Sequence, residues 1–281
     1  MFKLIDGKEV SSHVKTKVKE EVEILKEKGI EPALAVIIVG NDPASRVYVN
    51  NKKKACEFTG MRSVEYALPE ETTQEELLAI IDKLNGDDSI NGILCQLPVP
   101  KHISEKAVIE RISPKKDVDV FSAENVGKMW QGDYDMASCT PMGVIELLDY
   151  YGIDVCGKNC VIIGRSNIVG KPMAMLMLRE NATVTIAHSR TKNLKEVCKR
   201  ADILIVAVGK PRMIDDSYVK EGAVVIDVGI HRDENNKVFG DVDFEKVADK
   251  CSAITPVPGG VGPMTIAMLM QNCLYTIKRG D

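Results

Sequence analysis

The run Val161-Ile162-Ile163-Gly164-Arg165-Ser166-Asn167-Ile168-Val169-Gly170-Lys171-Pro172 reads as a short apolar strand, a glycine turn carrying an arginine, and a proline able to open a helix. The chemistry open to such a turn is anion binding. Glycine at a strand end lets backbone approach a phosphate, and a helix N-terminus offers unpaired N–H donors and a positive dipole. A dinucleotide is therefore expected here. The usual G-x-G-x-x-G is absent, because Ser166 breaks the pattern and the step from Gly164 to Gly170 is longer, so the strand-turn-helix context carries the argument. The next strand, Thr183 to Ala187, ends in His188-Ser189-Arg190-Thr191. A NAD-selective site wants a carboxylate at that tip for the ribose hydroxyls. None stands there, whereas Arg165, Ser189 and Arg190 offer charge and donors to a ribose phosphate. NADP is expected over NAD; the alternative is that both arginines are solvated cations on a structural half-domain.

A second set of residues lies in the first half of the chain. Tyr48 and Lys52 are four apart on a helical stretch, which puts ring and ammonium on one face. Gln96 directly follows the strand Ile90 to Cys95 and is held by Leu97-Pro98-Val99-Pro100, and Asp119 closes Lys115-Lys116-Asp117-Val118-Asp119. Each has an ordinary explanation. Lys52 belongs to a lysine run that could be a solvated face, Tyr48 could cover the core edge, Gln96 could cap a strand, and Asp119 could pair with Lys115 or Lys116.

The elements that must carry these residues follow from periodicity. Val10, Val14, Val18, Val22 and Leu25 mark a long helix between Gly7 and Gly29, and Ala33 to Val39 is a continuous apolar run of strand length. Helix Ala44 to Phe58, strand Arg62 to Leu68, helix Thr73 to Leu84 and strand Ile90 to Cys95 continue a βαβ alternation, which implies a parallel sheet. The second half repeats it, with strands at Val161 to Ile163, Thr183 to Ala187, Ile203 to Val208 and Val224 to Val228 and helices after Gly170 and Thr191. Pro114 to Pro141 lies between, with a helical run from Met142 to Tyr151 behind it. The terminal run Pro263 to Arg279 is helical and is expected to return to the first domain. The fold class expected is α/β, two α/β domains flanking a cleft, the second a Rossmann-like NADP-binding domain with a parallel sheet. Its divisions are residues 1–120 rejoined by helix 264–281, a junction and linker helix at 121–150, and 151–263.

With 281 residues two cores are expected, since single cores stop growing near that length. A net charge of only −4 and few aromatics argue against a nucleic-acid surface. No window reaches the length of a membrane span, and a cytosolic protein is expected. The eight cysteines are scattered, with no C-x-x-C pair; they read as small buried hydrophobes in a reducing compartment, and no metal is expected.

Taken together, Tyr48-x-x-x-Lys52, Gln96-Leu97-Pro98-Val99-Pro100, Lys116-Asp117-Val118-Asp119, Cys139-Thr140-Pro141-x-Gly143, Gly164-Arg165-Ser166-x-x-Val169-Gly170-x-Pro172 and Pro256-Val257-Pro258-Gly259-Gly260-Val261-Gly262-Pro263-Met264-Thr265 resemble the bifunctional methylenetetrahydrofolate dehydrogenase/cyclohydrolase family. The six blocks span nearly the whole chain in order. One departure stands out: the family commonly has glycine after the second aspartate. Here it is Val120, and a β-branched residue does not easily take a positive φ, so the turn beside Asp119 is expected to differ.

The resemblance implies NADP-dependent oxidation of 5,10-methylenetetrahydrofolate to the methenyl compound, then hydrolysis to 10-formyltetrahydrofolate. It implies a catalytic set of Lys52, Gln96, Asp119 and Tyr48: Lys52 handling protons, Gln96 assisting, Tyr48 stacking on the aminobenzoyl ring and Asp119 accepting from the pterin. It implies further substrate contacts at Leu97, Pro258, Gly259 and Gly260. For NADP it implies Thr140, Gly164, Arg165, Ser166, Ile168, Val169, Gly170, Ser189, Arg190, Val208, Gly209, Gly229 and Ile230. A homodimer is implied by the resemblance alone. Two other readings remain open at this level: a dehydrogenase of another substrate, such as a shikimate-type enzyme, and a nucleotide sensor without catalysis. The first leaves Gln96 and the proline-glycine block unexplained, and the second expects Lys52 or Gln96 to be lost.

Overall fold

The computed structural model describes residues 2–278, Ala44 by its backbone alone. In chain order the elements are β1 (Lys3–Leu4), α1 (Gly7–Glu27), β2 (Ala33–Val39), α2 (Pro43–Thr59), β3 (Arg62–Leu68), α3 (Gln74–Asn85), β4 (Gly92–Cys95), α4 (Glu105–Arg111), α5 (Ala123–Gln131), α6 (Cys139–Tyr150), β5 (Asn159–Ile163), α7 (Gly170–Arg179), β6 (Thr183–Ala187), α8 (Leu194–Cys198), β7 (Ile203–Val206), β8 (Val224–Asp227), β9 (His231–Arg232), β10 (Val238–Phe239), α9 (Phe244–Val247), β11 (Ala253–Ile254) and α10 (Val261–Lys278). Arg279, the last residue of the expected terminal helix, lies outside the described residues. No described helix is long and apolar enough to cross a membrane.

Two compact units emerge: Met1–Ser11 with Thr140–Thr265, and Ser12–Cys139 with Ile266–Asp281. In the latter, β2 is central in a parallel three-stranded sheet ordered β3-β2-β4, and all seven β2 residues are buried. A strand covered on both faces needs a continuous apolar run, and Ala33–Val39 is one. α2 is begun by Asp42, whose carboxylate accepts from the Ser45 N–H, with Pro43 in its first turn; Gly60 ends it at φ 76°. α3 begins with a reciprocal capping box between Thr73 and Glu76. The terminal helix fills the same core: Asn272 Nδ2 donates to the Val118 and Ala137 carbonyls, and a side chain at Gly92 would run into Val118 and Cys273.

The segment after residue 120 also packs in this unit, so the division falls at 139/140 rather than at 120 and 150. Asn125 Nδ2 donates to Pro114 O, Ser138 Oγ to Val120 O and Cys139 Sγ to Val118 O. These bonds tie 122–139 to the 114–120 loop.

The other unit holds a six-stranded sheet ordered β1-β11-β8-β7-β5-β6, parallel at every pairing. Its edge strand β1 is made by the third and fourth residues of the chain, which lie beside Ala253 and Ile254. Two residues carry no periodicity, so the sequence offers no sign of this strand. β5 is followed in the chain by β6 on one side and then by β7 on the other, which puts the topological switch between β5 and β7.

Candidate active site

Lys52 is buried on α2, and its ammonium donates to Gln96 Oε1 at 2.7 Å. Gln96 is set by the end of β4: its backbone N–H bonds to Ile37 O at 2.8 Å, and its Nε2 donates to Leu97 O at 2.7 Å. The amide therefore turns its oxygen toward the lysine. Leu97 is half-buried beside it, and Tyr48, one turn before Lys52 on α2, is exposed with its ring free of the core.

Burial pulls the Lys52 ammonium below the usual lysine range, and the Asp119 carboxylate opposes that pull. Asp119 is half-buried; desolvation pushes its carboxyl up to about 6, against the attraction of Lys52, with Asp117 pushing it further up. Cys139 and Cys95 also face this pair. Burial raises both thiols, that of Cys95 to about 12, so both stay protonated at neutral pH. A lysine that gives up its proton readily, fixed by an amide and faced by a carboxylate, can take a proton from water and return it.

The turn at Asp119 corrects the expectation for Val120. The valine takes φ 59° and is completely buried. Asp117 holds the conformation: its carboxylate accepts from the N–H groups of Phe121 at 3.2 Å and Ser122 at 2.8 Å and from Asn125 Nδ2 at 3.1 Å. The backbone path that glycine would favour is thus followed by valine, enforced by a buried carboxylate. Asp117 and Cys139 were not singled out as site residues from the sequence; the only signal for Asp117 was its place beside Asp119.

In the six-stranded unit, Ile163 pairs with Ala187, and Gly164 N–H continues the ladder to Ala187 O at 2.9 Å. That register sends Arg165 and Ser189 out of the sheet side by side, with Arg190 next in the chain. All three are exposed, and neither arginine forms an ion pair among the described residues. Their donors fit a ribose phosphate. Gly164 at φ 139° is required by the neighbouring backbone, because a Cβ there would lie 2.3 Å from Ala207 O.

The helix beyond it corrects a second expectation. The first-turn donors of α7 are not unpaired: Ser166 Oγ accepts from Val169 N and Gly170 N at 3.2 and 3.3 Å, and Ser166 O accepts from Lys171 N at 3.0 Å. Pro172 has no N–H to give. An anion at this turn would therefore meet the cationic side chains and the loop backbone ahead of α7 rather than the N–H groups of its first turn. Ile168 is exposed, and Val169 half-buried, on the same loop.

Thr140 Oγ1 and Thr265 Oγ1 lie 2.9 Å apart, joining the first turns of α6 and α10. Gly259 accepts from Gly7 N at 2.9 Å, and a Cβ at Gly7 would strike Gly260 O. The close approach these glycines serve here is backbone against backbone; Pro258 is exposed next to them. Val208 and Gly209 follow β7 and Gly229 and Ile230 follow β8, with Ile230 exposed. Their supports are Asp227, which accepts from Gly229 N, and Asp241, which reaches the 208–210 loop across 31 to 33 residues of chain, a pairing that no local pattern signals. Among the described residues no cluster of three or more His, Cys, Asp or Glu side chains is placed to hold a metal.

Comparison with known proteins bears on this arrangement. Residues 5–119 match the catalytic domain of tetrahydrofolate dehydrogenase/cyclohydrolase, and residues 138–281 match that family's NAD(P)-binding domain. A relative from Agathobacter rectalis called bifunctional protein FolD is 66% identical over 99% of this chain and 100% of its own. The structure of a FolD methylenetetrahydrofolate dehydrogenase/cyclohydrolase from Campylobacter jejuni superposes with a TM-score of 0.98 at 51% identity, covering 100% of both chains. One from Trypanosoma brucei, complexed with NADP cofactor and inhibitor, has a TM-score of 0.94 at 37% identity, covering 99% of this chain and 98% of its own. With both family domains matched in order, this chain belongs to the tetrahydrofolate dehydrogenase/cyclohydrolase family.

Proposed function

We propose that this chain oxidises 5,10-methylenetetrahydrofolate with NADP⁺ and hydrolyses the methenyl product to 10-formyltetrahydrofolate. The observation that carries it is the Lys52–Gln96 hydrogen bond, made by a buried lysine whose ammonium is destabilised, with Asp119 facing it. Membership of the family and the NADP bound in the Trypanosoma brucei relative support the reaction and the cofactor.

Oxidation removes hydride from the carbon bridging two folate nitrogens and needs no proton transfer. NADP⁺ supplies the hydride acceptor, and Arg165, Ser189 and Arg190 would hold its ribose phosphate. Hydrolysis does need proton handling. Neutral Lys52 Nζ accepts a proton as water adds to the methenyl carbon; the neutral hydroxyl adduct then collapses, its C–N bond to the pterin-side nitrogen breaking as the hydroxyl proton passes to solvent and the formyl C=O forms, and Lys52 returns the first proton to the departing nitrogen. Gln96 Oε1 fixes the ammonium during this exchange. Asp119 accepts from the pterin amino group and ring N–H, and Tyr48 offers its exposed ring to the aminobenzoyl group. The same reading assigns folate contacts to Tyr48, Lys52, Gln96, Leu97 and Asp119 with Pro258, Gly259 and Gly260, and the nucleotide to the unit containing 140–265. It also takes the chain to be a cytosolic homodimer; sedimentation equilibrium tests the dimer, and cell fractionation the location.

The deciding experiment is an absorbance assay on purified protein with methylenetetrahydrofolate and either NADP⁺ or NAD⁺. Expected are NADP⁺ reduction and methenyl decay faster than the spontaneous rate. Absence of reduction with either nucleotide, with folate binding intact, refutes the dehydrogenase.

A further inference from the structure

The topological switch lies between β5 and β7, and the loops that follow these strands, Gly164-Arg165-Ser166 and Val208-Gly209-Lys210, are the two walls between which an open parallel sheet receives a ligand. Three consecutive N–H groups on the second wall would form an anion-binding nest if they were free. They are not. Asp241, completely buried, accepts from Val208 N at 2.7 Å and Gly209 N at 2.9 Å on Oδ2, and from Lys210 N at 2.8 Å on Oδ1. His231 Nε2 completes the shell at 2.8 Å from Oδ1.

Asp241 is itself anchored by a second buried carboxylate. Asp227, at the end of β8, accepts from Gly229 N at 2.9 Å, Asp241 N at 3.1 Å and Val242 N at 2.9 Å. The fit leaves no slack: a Cβ at Gly229 would lie 2.4 Å from Asp241 Cγ, and one at Gly240 would strike Asp227 Oδ2. The anion this wall could bind is built into the chain. What remains for a ligand is carbonyl oxygen, the half-buried Val208 side chain and, at the exposed end of the wall, the Lys210 side chain; none of the three backbone donors is left for a phosphate.

We propose that Asp241 is a positioning residue that turns the 208–210 amides inward, so that this wall receives an uncharged part of the dinucleotide while the Arg165 wall takes its phosphates. The inference rests on NADP as the cofactor, read above. In Asp241→Asn one acceptor oxygen becomes an NH₂ facing N–H donors, and the loop loses its anchor.

The test is an equilibrium titration of NADP⁺ by nucleotide fluorescence, together with steady-state kinetics. The expected result for Asp241→Asn is a rise in Kd and KM for NADP⁺ of about tenfold or more. Methenyl hydrolysis measured without nucleotide should stay within about twofold, since its proton-handling residues Lys52 and Gln96 lie on the unit containing 12–139. An unchanged Kd, or a parallel loss of both activities in a folded variant, overturns the proposal. Should Asp241→Asn fail to fold, His231→Leu decides: it removes one of the four donors and should raise the NADP⁺ Kd severalfold, and an unchanged Kd overturns the proposal. His231→Gln, which restores a donor, should recover wild-type binding. The titration is independent of turnover, so a wild-type protein that binds NADP⁺ without reducing it refutes the functional reading and leaves the loop proposal standing.

Discussion

Replacing Asp119 with asparagine should make the protein more stable at alkaline pH while impairing it as an enzyme. The carboxyl sits at about 6, against an ordinary 3.8, with burial the main cause. A raised folded-state value means the native protein holds that proton more tightly than the unfolded chain does. Ionisation therefore destabilises the fold as pH rises from about 4 to 6, and the penalty is constant above. The shift of roughly two units corresponds to about 3 kcal/mol at pH 8 and, from the same two values, about 1 kcal/mol at pH 4.5. A side-chain amide carries no charge to desolvate, so Asp119→Asn should raise the melting temperature by about 6–12 °C at pH 8 and by about a third of that at pH 4.5. The measurement is a pair of thermal melts by circular dichroism across that pH range. Folate KM should meanwhile rise about 100-fold, because a two-point carboxylate contact becomes a mismatched amide. Equal melting temperatures at pH 8, or an advantage that grows toward acid, would refute the burial argument.

Three further outcomes are expected. Lys52→Met should lower methenyl hydrolysis by about 10²–10⁴-fold while leaving measurable NADP⁺ reduction, and retained hydrolysis would sink the proton-handling role. Arg165→Ala should raise KM for NADP⁺ about tenfold and leave that for NAD⁺ nearly unchanged; equal effects on both would exclude the phosphate contact. Val120→Gly should destabilise less than Val118→Gly by about 1–3 kcal/mol, the strain of a β-branched residue at positive φ, although both side chains are completely buried. Urea unfolding of the two variants compares them, and equal losses would show that Val120 is unstrained.

The layers of this fold and the placement of several candidate site residues were legible in the sequence because they depend on local pattern. Ala33–Val39, Arg62–Leu68 and Thr183–Ala187 are strands at the limits their apolar runs suggest. Tyr48 and Lys52 share a helix face because four residues make about one turn. Arg165 and Ser189 leave the sheet together because parallel pairing of β5 with β6 follows from βαβ alternation. Wherever the deciding partner is distant in the chain, local pattern is silent. Lys3–Leu4 finds its partner 250 residues away at Ala253–Ile254, and no periodicity resides in two residues.

The same holds for charge and conformation. Its spacing from Tyr48 and the family resemblance made Lys52 a candidate; its burial, its bond to Gln96 and the carboxylate facing it come from three separate segments brought to one place. Valine's intrinsic preference argued against a left-handed turn at 120, and Asp117, by accepting from Phe121, Ser122 and Asn125, overrode it. The donors of the 208–210 loop were chemically available in the sequence, and the tertiary structure gave them to Asp241, whereas those at the start of α7 are taken locally by Ser166. Periodicity decides which face of an element is apolar, whereas desolvation and hydrogen-bond partnership depend on every segment that surrounds a group, and those segments meet only when the chain has folded.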